Sequence, residues 1–301
     1  MNSQTSPSAQ ANLAGIGLML LGIFVFALND ALGKWLVATY SVGQLLLIRS
    51  AAALVLLLPL IWRDRATFAV APRPWLQALR GVLATLEVAC FYWALTDLPL
   101  ADVMTFYLAG PIYVTAMSPF LLGEQVGWRR WTAVIIGFFG VMLALNPTGN
   151  AFSAASWIAI LGSFSFSLLM ICTRLVRGTS DTVLVTTQTV MALLFGLAAA
   201  PFTWTPIKWA QIDLWLLILL GVTAMGAHMC INRALKIAPA SVVVPYQYST
   251  IVWAVILGYI FFGDVPAWSM VAGAAIIIGA GIYIFMRERA LSKTIVTADP
   301  P

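Results

Sequence analysis

Charge is scarce in this chain. Of its 301 residues, 16 are Lys or Arg and 11 are Asp or Glu, so only 9% are charged, against roughly 25% in ordinary soluble domains. So few charged groups cannot cover the surface of a soluble domain this large, which excludes that class. Histidine occurs once, at His228, and cysteine at Cys90, Cys172 and Cys230, all within apolar stretches. An odd, apolar-flanked set of thiols argues against a disulfide framework and a metal cluster, and leaves the cysteines as small hydrophobes. Also missing are a phosphate-cradling glycine loop, a metal-ligand spacing and a nucleophile–base arrangement. No cofactor and no enzymatic activity are therefore expected, and without an ATP-binding motif primary active transport by this polypeptide alone is excluded.

What is present is apolar sequence in long blocks, 61% of the chain. Each block approaches the roughly 20 residues that cross a hydrocarbon core about 30 Å thick. The chain reads as an all-α integral membrane protein with ten transmembrane helices, at 13–37, 42–62, 75–95, 101–122, 128–146, 154–174, 181–201, 213–233, 241–262 and 268–286. Turn and interface residues mark the breaks: Arg63-Asp64-Arg65, Asp97 to Pro99, Gly123-Glu124, Asn146-Pro147, Arg177-Gly178, Pro201, Pro239 and Gly263-Asp264. The first twelve residues are polar and carry no Lys or Arg, unlike the basic start of a secretory signal, so the first apolar run is expected to remain as a span. The loops are too short for a separate soluble domain.

Orientation follows from the bias of Lys and Arg in short loops. With a cytoplasmic N-terminus, one side holds Arg63, Arg65, Arg73, Arg129, Arg130, Arg174, Arg177, Arg233, Lys236, Arg287, Arg289 and Lys293, and the other only Lys34 and Lys208. Twelve against two puts both termini, 1–12 and 287–301, in the cytoplasm and the protein in the cell inner membrane as a multi-pass chain. The net charge of +5 then marks the inner face and needs no nucleic-acid partner. The expected partners are the lipid bilayer and a small-molecule substrate, with a homodimer left open.

Sliding the sequence against itself by 140 positions aligns its halves without a gap. Gly81, Val82, Ala84, Cys90, Ala94, Leu95, Pro99, Val103, Gly123 and Trp128 meet Gly221, Val222, Ala224, Cys230, Ala234, Leu235, Pro239, Val243, Gly263 and Trp268. Glu124 faces Asp264, and Lys34 faces Arg174. The repeats are expected at 13–147 and 153–286. Five spans per repeat is odd, so the second copy must insert upside down, an architecture of secondary transporters whose substrate site lies near the midplane. A non-transporting membrane scaffold or sensor is the alternative of another class.

Polar groups within spans are the informative ones, because a charge facing lipid at a helix centre costs about 2.5–3.5 kcal/mol on insertion scales. Glu87 lies near the middle of the third span, and the matching region of the eighth carries His228. Two titratable groups at matched depth could line one cavity, bind substrate or pass a proton, or each could simply hydrogen-bond a neighbouring helix. Asp30 and Lys34 share a face of the first span and can pair, with Asn29 beside them and Arg49 in the second span. That set reads equally as structural glue or as a gate at the outer mouth. Arg80 lies near the cytoplasmic end of the third span and reads as a snorkelling anchor. The fourth span offers Asp102, Thr105, Phe106 and Tyr107, and the ninth Tyr246, Gln247 and Tyr248 after Pro245, whose ring frees backbone groups. Small residues Ala133, Gly137 and Gly140, with Gly273, Gly279 and Gly281, suit close packing of the fifth and tenth spans.

Taken together, Asn29-Asp30 with Lys34-Trp35-Leu36, Arg49, Leu79-Arg80-Gly81, Pro99, Pro111, Gly123-Glu124, Trp128 to Trp131 with Gly137, Pro245-Tyr246 and Gly263-Asp264 resemble the EamA family of the drug/metabolite transporter superfamily, over nearly the whole chain. The pattern is most similar to its S-adenosylmethionine and riboflavin transporter branch. The resemblance implies two inverted EamA repeats around a cavity that opens alternately to each side. Asp30, Lys34, Arg49, Arg80, Glu87 and Tyr246 match polar positions of that branch, whereas His228 and Gln247 match none. The expectation is a secondary transporter of a small polar or heteroaromatic metabolite, riboflavin-like or nucleoside-like such as S-adenosylmethionine, with export of amino acids or related metabolites as the alternative. Its expected site comprises Asn29, Asp30, Lys34, Arg49, Glu87, Tyr107, His228, Tyr246, Gln247 and Tyr248, with Glu87 and His228 as proton-coupling candidates and no metal.

Overall fold

A computed structural model describes residues 9–69, 73–123, 126–145, 153–176, 178–207, 212–238 and 243–297. Among these residues the regular structure is all helical, with no strand. In order it forms TM1 (Ala9–Val37), TM2 (Val42–Arg63), TM3 (Pro74–Leu95), TM4 (Leu100–Leu108 and Gly110–Leu121), TM5 (Trp128–Leu145), TM6 (Ala154–Leu175), TM7 (Asp181–Ala199), TM8 (Asp213–Ile237), TM9 (3-10 helix Val244–Ser249, then Thr250–Phe262) and TM10 (Trp268–Thr297). Seven of these are long and apolar enough to cross a membrane, and TM5, TM9 and TM10 contain the shorter apolar runs Trp131–Ala144, Tyr246–Phe262 and Trp268–Tyr283. Leu58, Val82, Phe139 and Ile260 are among the large apolar side chains left exposed, the surface expected of a bundle solvated by lipid.

Helix starts follow local chemistry. Ser41, Ser153 and Ser180 cap TM2, TM6 and TM7, each hydroxyl accepting from a backbone N–H three residues on. Gly123 and Gly263 both adopt the left-handed conformation, at φ 67° and 69°, and end TM4 and TM9 where a side chain would be strained. They are repeat mates, so one turn device closes the same helix in both halves.

Three differences from the sequence reading have physical causes. TM4 breaks at Ala109, because Pro111 cannot donate to the carbonyl four residues back. TM6 repairs the break: Ser163 donates to the Phe106 carbonyl at 2.7 Å and Ser167 to that of Gly110 at 3.2 Å. The ninth span, expected at 241–262, opens as a 3-10 helix across Pro245 to Tyr248, and residues 241 and 242 lie outside the described residues. The helix of the tenth span runs on past the expected end of the span at 286 to Thr297, because the segment after it is rich in the helix formers Arg, Glu, Ala, Leu and Lys.

Four side-chain contacts sort the helix ends onto two faces. Gln44 at the start of TM2 exchanges hydrogen bonds with the backbone of Thr205, beyond the end of TM7. Tyr40 before TM2 meets Asp213 at the start of TM8, and Lys34 near the end of TM1 meets Asp264 after TM9. On the other face, Asp64 after TM2 accepts from Thr182 at the start of TM7. TM2 and TM7 therefore run antiparallel, although they are repeat mates: the second copy is inverted. The packing obeys the duplication too. TM1 lies on TM8 as TM6 lies on TM3, and TM3 on TM7 as TM8 on TM2, while TM2 with TM7 and TM5 with TM10 are self-related pairs.

Close approach uses glycine at related points. A Cβ at Gly81 would stand 2.7 Å from Met191 on TM7, and one at Gly221 would stand 2.4 Å from the Arg49 carbonyl on TM2. At the TM5–TM10 contact, a Cβ on Gly273 would meet the Gly140 carbonyl at 2.6 Å. Gly279, grouped with this seam in the sequence, faces open space instead.

Candidate substrate site

Four polar residues stand at one level of the bundle. Asp30 is seven residues from the end of TM1, Glu87 eight from the end of TM3, and Arg49 and Tyr107 are each seven from the start of TM2 and TM4. At 1.5 Å per residue each lies about 10–12 Å along its helix from the Lys34 face. The inverted course of the chain brings them together. Arg49 interacts by charge with both Asp30 and Glu87, and the two carboxylates with each other. One guanidinium serving two half-buried carboxylates leaves a surplus negative charge where water is scarce, which a bound cationic group or a proton can neutralise.

Aromatic side chains wall this cluster. The Arg49 guanidinium donates to the Tyr92 hydroxyl at 3.0 Å and lies 5.5 Å from that ring's centroid. Phe91 stands edge-on to both Tyr92 and Tyr107, at 5.4 and 5.2 Å. Tyr107, the penultimate residue before the TM4 break, donates to the Glu87 carbonyl at 2.9 Å and rests where a Cβ on Gly162 would otherwise stand. Rigid aromatic faces beside a few charged groups suit a planar, polar ligand. Tyr92 and Phe91 were missed in the sequence, because neither alone differs from the many aromatics of an interfacial belt.

The remaining expected residues scatter. Asn29 is buried and gives both amide hydrogens to TM8, at 2.6 Å to the Leu220 carbonyl and 2.8 Å to the Thr223 hydroxyl, so it fastens helices. Lys34 does not pair with Asp30. It reaches Asp264 at 2.5 Å, set beside TM1 by the left-handed turn at Gly263, while Asp30 interacts by charge with Arg49. His228 packs edge-on against Phe26 at 4.7 Å and interacts by charge with Arg49 and Arg80. It lies fifteen residues into TM8, about 10 Å deeper than Glu87 along the helix direction. The matched depth expected of this pair fails because inversion reflects equivalent residues across the midplane. Tyr246 and Gln247 are exposed on the 3-10 segment, their carbonyls accepting from Ser249 and Thr250. Tyr248 sits against Gly281 of TM10.

Arg80 corrects a second expectation. It does not snorkel to the interface; it is buried, with Nε donating to Thr173 on TM6 and Nη1 to the Leu184 carbonyl on TM7. Those helices fold over TM3 at this point and offer fixed acceptors closer than water. A groove of about 470 Å³ lies elsewhere, between TM5 and TM10, with Trp128, Arg129, Ile276 and Tyr283 among its walls and none of the charged cluster.

TM4 and TM9 change course at equivalent points, Ala109 and Ser249, separated by the repeat offset of 140. Interrupted helices in matching positions of two halves mark the binding region of inverted-repeat transporters.

Known proteins resemble this chain over nearly its whole length. The EamA-like transporter family matches residues 13–146 and again 153–287. An S-adenosylmethionine uptake transporter of Rickettsia bellii is 27% identical over 284 residues, covering 93% of this chain and 97% of its own. A riboflavin transporter of Vibrio cholerae is 27% identical over 290 residues (93% and 96%). A pseudopaline exporter of Pseudomonas aeruginosa is 26% identical over 278 (90% and 95%). A crystal structure superposes with a TM-score of 0.58 at 17% identity over 90% of this chain and 94% of its own, a likeness of fold.

Proposed function

This chain belongs to the EamA-like transporter family, and from that premise we propose that it is a secondary transporter moving a small polar or heteroaromatic metabolite across the cell inner membrane by alternating access. The observation that carries the reading is the Asp30–Arg49–Glu87 cluster walled by Tyr92 and Tyr107 beside the broken TM4. Arg49 and the two carboxylates read the polar groups of the ligand, and the aromatic faces stack its planar part. The relatives include proteins named for uptake and for export, so likeness leaves direction open. Export of an amino acid or related metabolite is the second reading, and an exporter is among the relatives that match nearly the whole chain.

The basic face, with Arg63, Arg65, Arg73, Arg129 and Arg174, is taken as cytoplasmic, together with both termini. The repeats are taken as 13–147 and 153–286. Glu87 and His228 are candidates for carrying a proton, one on each side of the midplane.

Proteoliposome uptake of labelled S-adenosylmethionine, riboflavin and amino acids, under imposed proton or sodium gradients, tests the proposal. Accumulation of one class that is abolished by Glu87→Gln, with the variant inserted at wild-type level, is the expected result. Movement of none of them under any gradient would favour a scaffold or sensor. Unchanged pH dependence in Glu87→Gln would remove that residue from proton coupling.

A further inference from the structure

Two carboxylates compete for one ammonium at the outer end of the bundle. Lys34, three residues from the end of TM1, pairs with Asp264 on the TM9–TM10 connection and lies 4.6 Å from the Phe262 ring centroid. The loop sits close over TM4: a Cβ at Gly258 would stand 3.7 Å from the Asp264 Cβ and 3.9 Å from that of Leu100. In the first turn of TM4, Asp102 interacts by charge with both Lys34 and Asp264, yet its Oδ1 is buried without a hydrogen-bond partner among the described residues. Asp102 as a whole is half-buried, and ionisation there is costly in proportion, since a charge withdrawn from water needs a partner or neutralisation. Asp264 already has the ammonium, so neutrality at Asp102 requires a proton.

We infer that Asp102 is a proton-binding site and that its proton decides whether an outer gate, the Lys34–Asp264 ion pair, is closed. The inference rests on the transport reading and on the basic face being cytoplasmic. In the closed state Asp102 is a neutral carboxylic acid and Lys34 joins TM1 to the TM9–TM10 connection. Opening carries Asp264 and Phe262 away into water, where that carboxylate is solvated. The Lys34 ammonium cannot remain unpaired at this depth. Asp102 loses its proton to the outer water, becomes a carboxylate and takes Lys34, helped by its place in the first turn of a helix, where the dipole favours an anion. One proton leaves per opening. On TM1 itself, Asp30 lies one turn deeper than Lys34 and interacts by charge with Arg49. The outer halves of TM5, TM6 and TM10, which also pack on this part of TM4, contain no Asp, Glu, Lys, Arg or His among the described residues. On TM3, Glu87 lies two turns deeper and Asp97 is exposed in the loop.

The test needs no substrate. Nitroxide labels on Thr39→Cys and Val265→Cys, both exposed positions, report the distance across the gate by pulsed electron paramagnetic resonance. The full chain is used in lipid nanodiscs, with Cys90→Ala, Cys172→Ala and Cys230→Ala. A short distance at about pH 5 should give way to a longer one by about pH 8, the ratio of the two changing by at most about tenfold per pH unit, the limit for a single proton. Asp102→Asn, always neutral, should keep the short distance at both values. Asp102→Glu should restore the response, and Asp264→Asn should favour the long distance throughout. A wild-type response in Asp102→Asn or in Asp264→Asn, or distances in the parent that ignore pH, would overturn the inference. Because no cargo is involved, that failure leaves the uptake experiment standing, and a failed uptake experiment leaves this measurement unaffected.

Discussion

Gly33 and Tyr92 are fitted to each other: a Cβ on Gly33 would lie 2.2 Å from the Tyr92 ring, whose hydroxyl accepts from Arg49 at 3.0 Å. An absent side chain on TM1 thus lets TM3 support the cation of TM2. The guanidinium that faces Asp30 and Glu87 is aimed through this contact, and position in such a site matters at the level of fractions of an ångström.

Gly33→Ala should therefore disturb transport without touching a charged group. The added methyl must push Tyr92 aside, at an overpacking cost of about 1–3 kcal/mol. Arg49 then loses its fixed acceptor, and uptake efficiency should fall by about tenfold or more, the equivalent of roughly 1.4 kcal/mol. Tyr92→Phe should produce a smaller loss of uptake and little change in melting temperature. Initial uptake rates beside thermal melting of the purified protein separate the two; a Gly33→Ala protein with wild-type uptake would mean that Arg49 does not depend on this contact.

Arg80 predicts a different phenotype, loss of stability before loss of specificity. Its guanidinium ties TM3 to TM6 and TM7 through Thr173 and Leu184, and hydrogen bonds to a charged group contribute about 1.5–3 kcal/mol each. Arg80→Ala should lower the melting temperature and the yield of inserted protein. Arg80→Lys should rescue only part, because an ammonium cannot span two acceptors held in the geometry of a fork. Full rescue by lysine would show that charge alone is needed there.

Hydropathy made ten spans legible because apolar runs of spanning length recur along the chain, and the offset of 140 exposed the duplication because ten identities fall in one register. Gly123 and Gly263 were visible as matched landmarks, and their shared left-handed turn explains why glycine is needed at both. What sequence could not carry was pairing across the fold. Lys34 is four residues from Asp30 yet finds Asp264, 230 positions away, and local spacing favours the wrong partner. Arg80 looked like an interfacial anchor because its depth along TM3 can be counted, whereas the closure of TM6 and TM7 over it cannot. Glu87 and His228 looked level because the repeat was compared by number, while inversion sends equivalent residues to opposite sides of the midplane.

The self-related TM5–TM10 contact supports a prediction about rigidity rather than the site. A Cβ on Gly273 would meet the Gly140 carbonyl at 2.6 Å and the Ala144 Cβ at 2.7 Å, and neither backbone can yield without separating the helices. Gly273→Leu should lower stability by about 1–3 kcal/mol or more. Gly279→Ala, at a position facing open space, should be close to neutral or slightly stabilising, as alanine is the better helix former. Melting temperatures in a fixed detergent check both; equal losses at the two positions would contradict the seam.

Tyr40 gives the prediction with a defined pH window. It lies in the short connection between TM1 and TM2 and donates to Asp213 at 2.6 Å. That hydrogen bond, with burial and the neighbouring negative charge, pushes the phenol up from 10.0 to about 12. The folded state thus retains the Tyr40 proton more tightly than the unfolded chain. Below about pH 10, the ordinary value for tyrosine, both states are protonated and the stabilisation is present in full. Between there and about 12 the unfolded chain has released its proton while the folded one keeps it, so stability falls as pH rises. Tyr40→Phe should lower stability below that window by about 1.5 kcal/mol, the value of a hydrogen bond to a charged acceptor. It should also flatten the alkaline limb, so that the two proteins converge as pH approaches the top of the window. Melting temperatures of both proteins across the alkaline range test this, and parallel curves would show that the Tyr40–Asp213 contact does not hold TM8 to the TM1–TM2 connection in solution.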